Sequence, residues 1–381
     1  MDPLFRLNLH VYPTTFLNES RILRESAALI DQGLVGQVLL IGLWSEGLPE
    51  EEQIRPGVKL RRINTSFSKR NSRWSNLLVF VVFYFRILQL QRRLRADIIN
   101  VHSLTMLPVG TIAKWLFGVK LVYDAHELET ETHASQGLRK KLSKYLERLL
   151  ISQVDYMIVV SKSIEEWYRS VYHLQNIATI RNIPASRTLE SPVDFRSMFG
   201  IEEDAIVFIY VGLISGGRGI PNLVSTFQHQ STHKHHLILI GYGNMFEEIS
   251  RQESSNIHLM AAVSPSEVLS YVAGADIGLS MIENSCLSYY YSLPNKVFEY
   301  MTAGIPFICS NFPEVSREFN SSDLCWLISE NELLSTIEGI SQAEIQRKKS
   351  NILRLRNQWS WQHEQTLLIP VYQNLKSTKP E

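Results

Sequence analysis

The sequence predicts an α/β protein built from two doubly wound, Rossmann-like domains that face a cleft. Three observations carry that prediction. The 381 residues exceed one ordinary domain and suit two of somewhat under about 200 each. Hydrophobic residues at 45% and charged residues at 20% allow a packed core and exclude wholesale disorder. Strand-like and helix-like stretches then alternate strictly, and strict alternation means parallel sheets with helices on both faces.

Each element follows from its own pattern. "FRLNLHVY" and "VGQVLLIGLW" read as buried strands around the helical "NESRILRESAALIDQG", which closes at Gly33. "KLRRINTSF" alternates like a half-exposed strand, and a helix over residues 75–95 leads to the strand "ADIINVHS". "LPVGTIAKWLFG" is helical, "VKLVYDAHE" is a strand running into a loop, and "GLRKKLSKYLERLLISQ" is an amphipathic helix. "VDYMIVVS" and "ATIRNIP" finish this half. The polar, Pro-punctuated "NIPASRTLESPVDFRSMFGIEED" marks the junction, giving expected domains over residues 1–183 and 184–357. A second series follows: "AIVFIYVGLIS", "HHLILIGYG", "NIHLMAAV", "ADIGLSMI", "IPFICS" and "LCWLIS". The tail, residues 358–381, reads as a helical segment broken by Pro370 and is expected to pack back towards the N-terminal domain. Ligands of such folds bind outside the carboxyl ends of the strands, which is where the cleft is expected.

Bulk charge excludes some functions. Lys+Arg and Asp+Glu balance at 38 each, against a generally basic nucleic-acid binder. Cys286, Cys309 and Cys325 lack zinc-site spacing and leave one over from any pair, so a cytoplasmic location is expected. "MDPLFRLNLHVYP" has no basic lead before an apolar run, so no signal peptide is expected. The most apolar run, residues 74–85, is short against the ~20 residues of a bilayer span, so no transmembrane helix is expected.

Two stretches carry candidate chemistry. In "SLPNKVFEYMTAGIPFI" a helical wheel puts Val297, Phe298 and Met301 on one face and Asn295, Lys296 and Glu299 on the other. Pro294 suits the first turn and Gly304 the residue past the end. Lys296 beside the free N–H groups makes an anion site, and Glu299 could accept two hydrogen bonds from a diol such as ribose. A surface i, i+3 ion pair would give the same spacing. "GLISGGRG" follows a strand and precedes a helix, so its glycines would let backbone approach a phosphate beside Arg218. An ordinary flexible loop is the plainer reading of it.

The helix segment resembles the nucleotide-binding helix of retaining GT-B glycosyltransferases of family 4, whose pattern is "LPNKxFEYMxxGxP". The resemblance continues in order along nearly the whole chain, through "LVYDAHELE", "YMIVVSKSIEEWY", "IRNIP", "YVGLISGGRGIPNLV", "LILIGYGNMFEEI" and "WSWQHEQ". No single motif is decisive, but together they are specific. The resemblance implies that Glu299 binds the nucleotide ribose and Arg218 the donor diphosphate, with Lys296 a second cation there. It implies that His126 faces the donor sugar, flanked by Asp124 and Glu127, which could orient its ring. The expected catalytic residues are thus His126, Arg218 and Lys296. The expected nucleotide-sugar site comprises Gly212, Arg218, Gly241, Gly243, Ala262, Val263, Asn295, Lys296 and Glu299. "GYGN" at 241–244 is best taken as a turn leading into a helix near the nucleotide.

The chain departs from that family in places. Tyr291 stands where many members carry a second Glu, so the sugar contact would fall to Asn284, Ser288 or backbone groups. "YPTTFLNES" lacks the usual glycines, leaving Thr14, Thr15, Asn18 and Glu19 as hydrogen-bonding groups, and Leu213 replaces a common Arg. His229, His233, His235 and His236 invite a metal reading but lack supporting carboxylates or cysteines, and no Asp-x-Asp triplet occurs. A metal-independent reaction without a cofactor is expected. Residues 59–95 hold Lys59, Arg61, Arg62, Lys69, Arg70 and Arg73 before the apolar run and Arg86, Arg92, Arg93 and Arg95 after it, without one acid. That pattern suits contact with an anionic membrane surface, and equally a core helix with solvated ends. The expected function is transfer of a sugar from a nucleotide diphosphate sugar to a sugar or lipid-linked sugar acceptor, with retention, in cell-surface polysaccharide or glycolipid synthesis. A nucleotide-sugar epimerase of the same fold and a non-catalytic GT-B subunit are the alternatives.

Overall fold

The strands of the first half pair as their buried patterns require. In a computed structural model describing residues 2–65, 73–133, 135–184, 191–252, 254–320 and 323–377, they are β1 (Phe5–Val11), β2 (Val35–Leu43), β3 (Glu51–Arg55), β4 (Val58–Ile63), β5 (Ile98–Val101), β6 (Lys120–Ala125), β7 (Tyr156–Val159) and β8 (Ile177–Thr179). Their order in the sheet is β3-β4-β2-β1-β5-β6-β7-β8. All pairings are parallel except β3 with β4. β3 is a charged edge strand that the apolar pattern does not announce. It returns through a turn at Gly57, whose φ is 82°.

The helices between them are α1 (Ser20–Asp31), α2 (Arg73–Leu94), α3 (Leu107–Phe117), α4 (Gly137–Leu150) and α5 (Lys162–Tyr172). α3 stops at Gly118 in the left-handed region, and α5 starts at Ser161, whose hydroxyl accepts from Ile164 N. α3 packs between α2 and α4. α2 is not uniformly exposed: Phe83 and Ile87 are buried, while Leu78, Val81 and Phe85 face solvent. Arg62 leaves the expected basic surface altogether. Its buried guanidinium donates to Thr15 O, Pro49 O and Glu52. Lys69 and Arg70 lie outside the described residues, as does the side chain of Arg73. Among the described residues no helix is long and apolar enough to cross a membrane.

The second half forms its own sheet from β9 (Val207–Leu213), β10 (His236–Tyr242), β11 (Ile257–Ala261), β12 (Ile277–Ser280), β13 (Phe307–Ser310) and β14 (Cys325–Ile328). Its order is β11-β10-β9-β12-β13-β14, all parallel. One face packs Phe208, Phe227 and Leu239, the other Phe298, Tyr300 and Phe307. α6 (Ile220–Phe227) follows β9, and α7 (Asn295–Ala303) precedes β13. These are the two α/β sheets with flanking helices that the alternation predicted, parallel throughout but for the edge strand β3.

The chain divides into two compact units, one of Met1–Asn182 with Glu364–Glu381 and one of Ile183–His363. The last segment belongs to the first unit for identifiable reasons. Glu364 is buried and accepts from Arg181 N and Nε, both at 2.8 Å. The C-terminal helix Leu368–Ser377 buries Leu368, Val371, Tyr372 and Leu375. Pro370 does not break that helix. It sits in the first turn, where its missing N–H has no intrahelical partner to lose.

Candidate active site

The register of the second sheet gathers several expected residues. Gly212 pairs with Gly241, and Gly241 with Ala261, so they stand in one row across β9, β10 and β11. The loops beyond that row lie backbone against backbone. A Cβ on Gly241 would stand 1.8 Å from Gly212 O, and one on Gly243 would stand 2.1 Å from Ile214 O. Ile214 N donates to Tyr242 O at 2.8 Å, and Met245 N donates to Ile214 O at 3.2 Å. The glycines therefore let two loops close on each other. Gly219 turns the chain into α6 with φ 71°, and its N–H donates to Glu283 Oε1 at 3.3 Å.

Two cations stand at this place, each on an aromatic ring. The Arg218 guanidinium lies 4.8 Å from the Tyr289 ring centroid, and Lys296 Nζ lies 4.3 Å from that of Tyr210. Among the described residues no carboxylate oxygen comes within 4.0 Å of either cation, so the surface ion pair is not what this helix makes. Burial, and then the Arg218 charge, push the Lys296 ammonium down to about 8, with Glu299 opposing. α7 runs from Pro294, its N-cap, to Gly304 in the left-handed region, and buries Val297, Phe298, Tyr300 and Met301. Glu299 is half-buried one turn beyond the exposed Asn295. Ala262 is exposed and Val263 half-buried just past β11.

The first unit holds a buried polar chain at the carboxyl ends of β1, β5 and β6. Asn8 Nδ2 lies 3.1 Å from His10 Nε2, His10 Nδ1 lies 2.9 Å from His102 Nε2, and His102 Nδ1 lies 3.0 Å from Asp124 Oδ2. One assignment satisfies all three contacts: the Asn8 amide donates to His10, His10 Nδ1–H to His102, and His102 Nδ1–H to Asp124. It keeps both imidazoles neutral. Burial requires that, pushing His102 down to about 4 and His10 well below its ordinary value. His126, only half-buried, brings Nε2 to 3.3 Å from Asp124 Oδ2, while Glu127 is exposed. Burial alone would raise the Asp124 carboxyl. Arg21, at 3.0 Å, with His126 and His102 instead holds it well below the carboxylate range. Glu25, 2.8 Å from the same guanidinium, is pushed far up by burial, so one acid of the pair carries the charge.

His102, Asp124 and His126 bring donor atoms within 4.8 Å of one another, the one such group among the described residues. By donor type the trio could hold a divalent ion. As the atoms stand, Arg21 and the imidazoles already occupy the Asp124 oxygens. The histidine run makes no cluster: His229 bonds Ser231, His235 accepts from Ile206 N, and His236 pairs with His258 at 2.9 Å.

Comparison with known proteins decides the family. The profile of Glycosyltransferase Family 4 matches residues 19–183, and that of Glycosyl transferases group 1 matches residues 205–342. The chain belongs to the family 4 GT-B glycosyltransferases. No curated protein sequence matches this glycosyltransferase significantly. Among solved structures it is similar to sucrose-phosphate synthase from Thermosynechococcus elongatus, at 16% identity and TM-score 0.81 over 97% of this chain and 99% of that one. It is also similar to HepE from Anabaena in complex with UDP and glucose, at 14% identity and TM-score 0.72, again over 97% and 99%. The catalytic domain of starch synthase IV from Arabidopsis thaliana, bound to ADP and acarbose, aligns over 98% of this chain and 100% of its own, at 11% identity and TM-score 0.73. At such identities the likeness shows the fold.

Sequence reasoning missed several residues of the glycosyltransferase that surround the expected ones. Tyr210 and Tyr289 hold the two cations, Glu283 accepts from Gly219 N, and His10, His102, Arg21 and Glu25 complete the chain to Asp124. A signal for two of these existed: His10 and His102, like Asp124, stand at the carboxyl end of a strand-like run. Tyr291, in place of the common Glu, closes the short helix Leu287–Tyr290 with its ring 5.4 Å from that of Tyr290. Asn284 is exposed, Ser288 buried and Leu213 40% exposed. Phe16 N bonds Thr14 Oγ1 at 3.3 Å. Thr15, Asn18 and Glu19 lie in the same stretch before α1.

Proposed function

We propose that this glycosyltransferase takes a sugar from a nucleotide diphosphate sugar and transfers it, with retention and without a metal ion, to a hydroxyl of a sugar or lipid-linked sugar. The observation that carries this reading is the pair of cations, Arg218 and Lys296, held on aromatic rings without a carboxylate partner beside glycine loops. Two neighbouring positive charges without a paired carboxylate are unfavourable together until an anion joins them, and a diphosphate supplies that anion. As the glycosidic bond breaks, charge grows on the leaving diphosphate, which Arg218 and Lys296 would stabilise. Glu299 would receive the ribose hydroxyls. Gly212, Gly241, Gly243, Ala262, Val263 and Asn295 would line the nucleotide. In the first unit His126 is the catalytic candidate, its ring oriented by Asp124. The UDP named in the HepE complex supports a nucleotide donor. The proposed setting is cell-surface polysaccharide or glycolipid synthesis in the cytoplasm. There Arg86, Arg92, Arg93 and Arg95, around exposed Leu78, Val81 and Phe85, would meet anionic headgroups.

Calorimetric titration of UDP, GDP, ADP and CMP tests the donor site. One of them should bind the wild type, and Glu299→Ala should weaken it at least about tenfold, or ~1.4 kcal/mol. Binding by none of the four would remove the donor reading. Turnover unchanged by EDTA is expected, and the anomeric configuration of the product reports retention.

A further inference from the structure

α4 turns Glu147 and Leu150 into the protein, yet the opposite side of this helix is not polar. Leu138, Leu142, Tyr145 and Leu149 are 72%, 60%, 69% and 58% exposed. Their spacing of four, three and four residues puts them on one stripe, about 16 Å long at ~1.5 Å per residue. A helix that only covered the sheet would carry polar groups there. Two more large apolar side chains are exposed close to the end of this helix. Trp115 and Leu116, at the end of α3, are 65% and 63% exposed, and Trp115 Nε1 donates at 3.0 Å to Gln153 Oε1, just past the end of α4.

Cations border this stripe on both sides. On the helical wheel Arg139 falls on one flank and Lys141 and Arg148 on the other. Among the described residues none of these three has a carboxylate within 4.0 Å. Lys140 and Lys144, further round, pair with Glu131. The neutral whole also hides a separation of charge. The first unit carries 26 Lys and Arg against 19 Asp and Glu, a net +7, and the second carries 12 against 19, a net −7.

We infer that this outer face of α4, together with Trp115 and Leu116, docks on an anionic lipid bilayer. An apolar stripe with aromatic members and cationic flanks matches a hydrocarbon layer beneath negative headgroups. A second copy of the chain fits worse, because a two-fold contact through the stripe would set these cations against the same cations. The inference deepens the membrane part of the proposed function and rests on it, but moves the main contact from residues 59–95 to α4.

Flotation with vesicles tests it, using phosphatidylcholine alone and phosphatidylcholine mixed with phosphatidylglycerol. Wild type should float with the mixed vesicles and not with the neutral ones. The pair Leu142→Ser with Leu149→Ser should lower the partition constant at least tenfold, as should Lys141→Glu with Arg148→Glu. All four positions are solvent-facing, so an unchanged Tm excludes unfolding as the cause. Val81→Ser with Phe85→Ser, in α2, should change it less. If the α2 pair abolishes flotation and the α4 pairs do not, the membrane reading stands and the α4 surface falls. Equal binding to both vesicles would overturn the anionic selection. A wild type that floats with neither would overturn both readings.

Discussion

Lys296 and Arg218 show what single residues contribute at the expected donor site. Each is held by an aromatic face instead of a carboxylate, which leaves both charges open to a ligand. The consequence for Lys296 is a pKa lowered to about 8 by burial and by Arg218. Its cation is therefore present at neutral pH and lost as pH rises through that value. Affinity for the matching nucleoside diphosphate should fall between about pH 7 and pH 9, and Lys296→Met should bind weakly and flatly across that range. The same variant should melt higher without ligand. The unfolded lysine stays charged to about 10.4, so below the folded pKa the native state carries a proton it disfavours. A gain of about 1 kcal/mol would read as roughly 2–4 °C in a unit of this size. A steep pH dependence surviving in Lys296→Met would assign the titration to another group.

Tyr372 makes the case for whole elements, because one hydroxyl ties the C-terminal helix to β1 and β5. It accepts from Asn8 Nδ2 at 2.9 Å and from Asn100 Nδ2 at 3.3 Å, all three residues being buried. Tyr372→Phe would keep the ring and strand two buried amide donors, at a cost of about 1–3 kcal/mol. A Tm unchanged from wild type would show that those amides find other partners. Nothing in "LIPVYQNLK" announces this contact. The strands were legible because buried parallel strands are continuous apolar runs. β3 was not, because "EEQIR" is a solvent-facing edge. α7 was legible down to its apolar face, from spacing and the final glycine. The resemblance singled out His126, Arg218, Lys296 and Glu299, and the second sheet then brought Gly212 and Gly241 side by side. The chain from Asn8 through His10 and His102 to Asp124 depends on β1, β5 and β6 being neighbours. Strand order is a property of the sheet, which no local pattern encodes. Tyr210 was hidden for a related reason, since an aromatic residue in an apolar run such as "AIVFIYVGL" reads as core.

As a whole molecule the chain is two bodies of opposite net charge, each with its own sheet and core, and the first closes only with the last residues of the sequence. Calorimetry should therefore record two unfolding transitions with different sensitivities. A binding nucleotide should raise only the transition of the second unit, by about 2.7 kcal/mol at a hundredfold excess over Kd. Truncation after His363 should lower only that of the first. It removes the Glu364 carboxylate from Arg181, and breaking a buried pair costs about 3–5 kcal/mol before the lost burial of Leu368, Val371 and Leu375 is counted. Acid should lower both. His102 in the first unit and His258 in the second are each held to about 4, mainly by burial. Between pH ~6.5 and ~4 the unfolded chain takes protons that the folded imidazoles refuse, so stability falls as pH falls. His102→Gln should lessen that fall in the first unit alone. A single transition, moved alike by nucleotide and by truncation, would mean that the two units unfold as one, and the separate accounts of their cores would have to be merged.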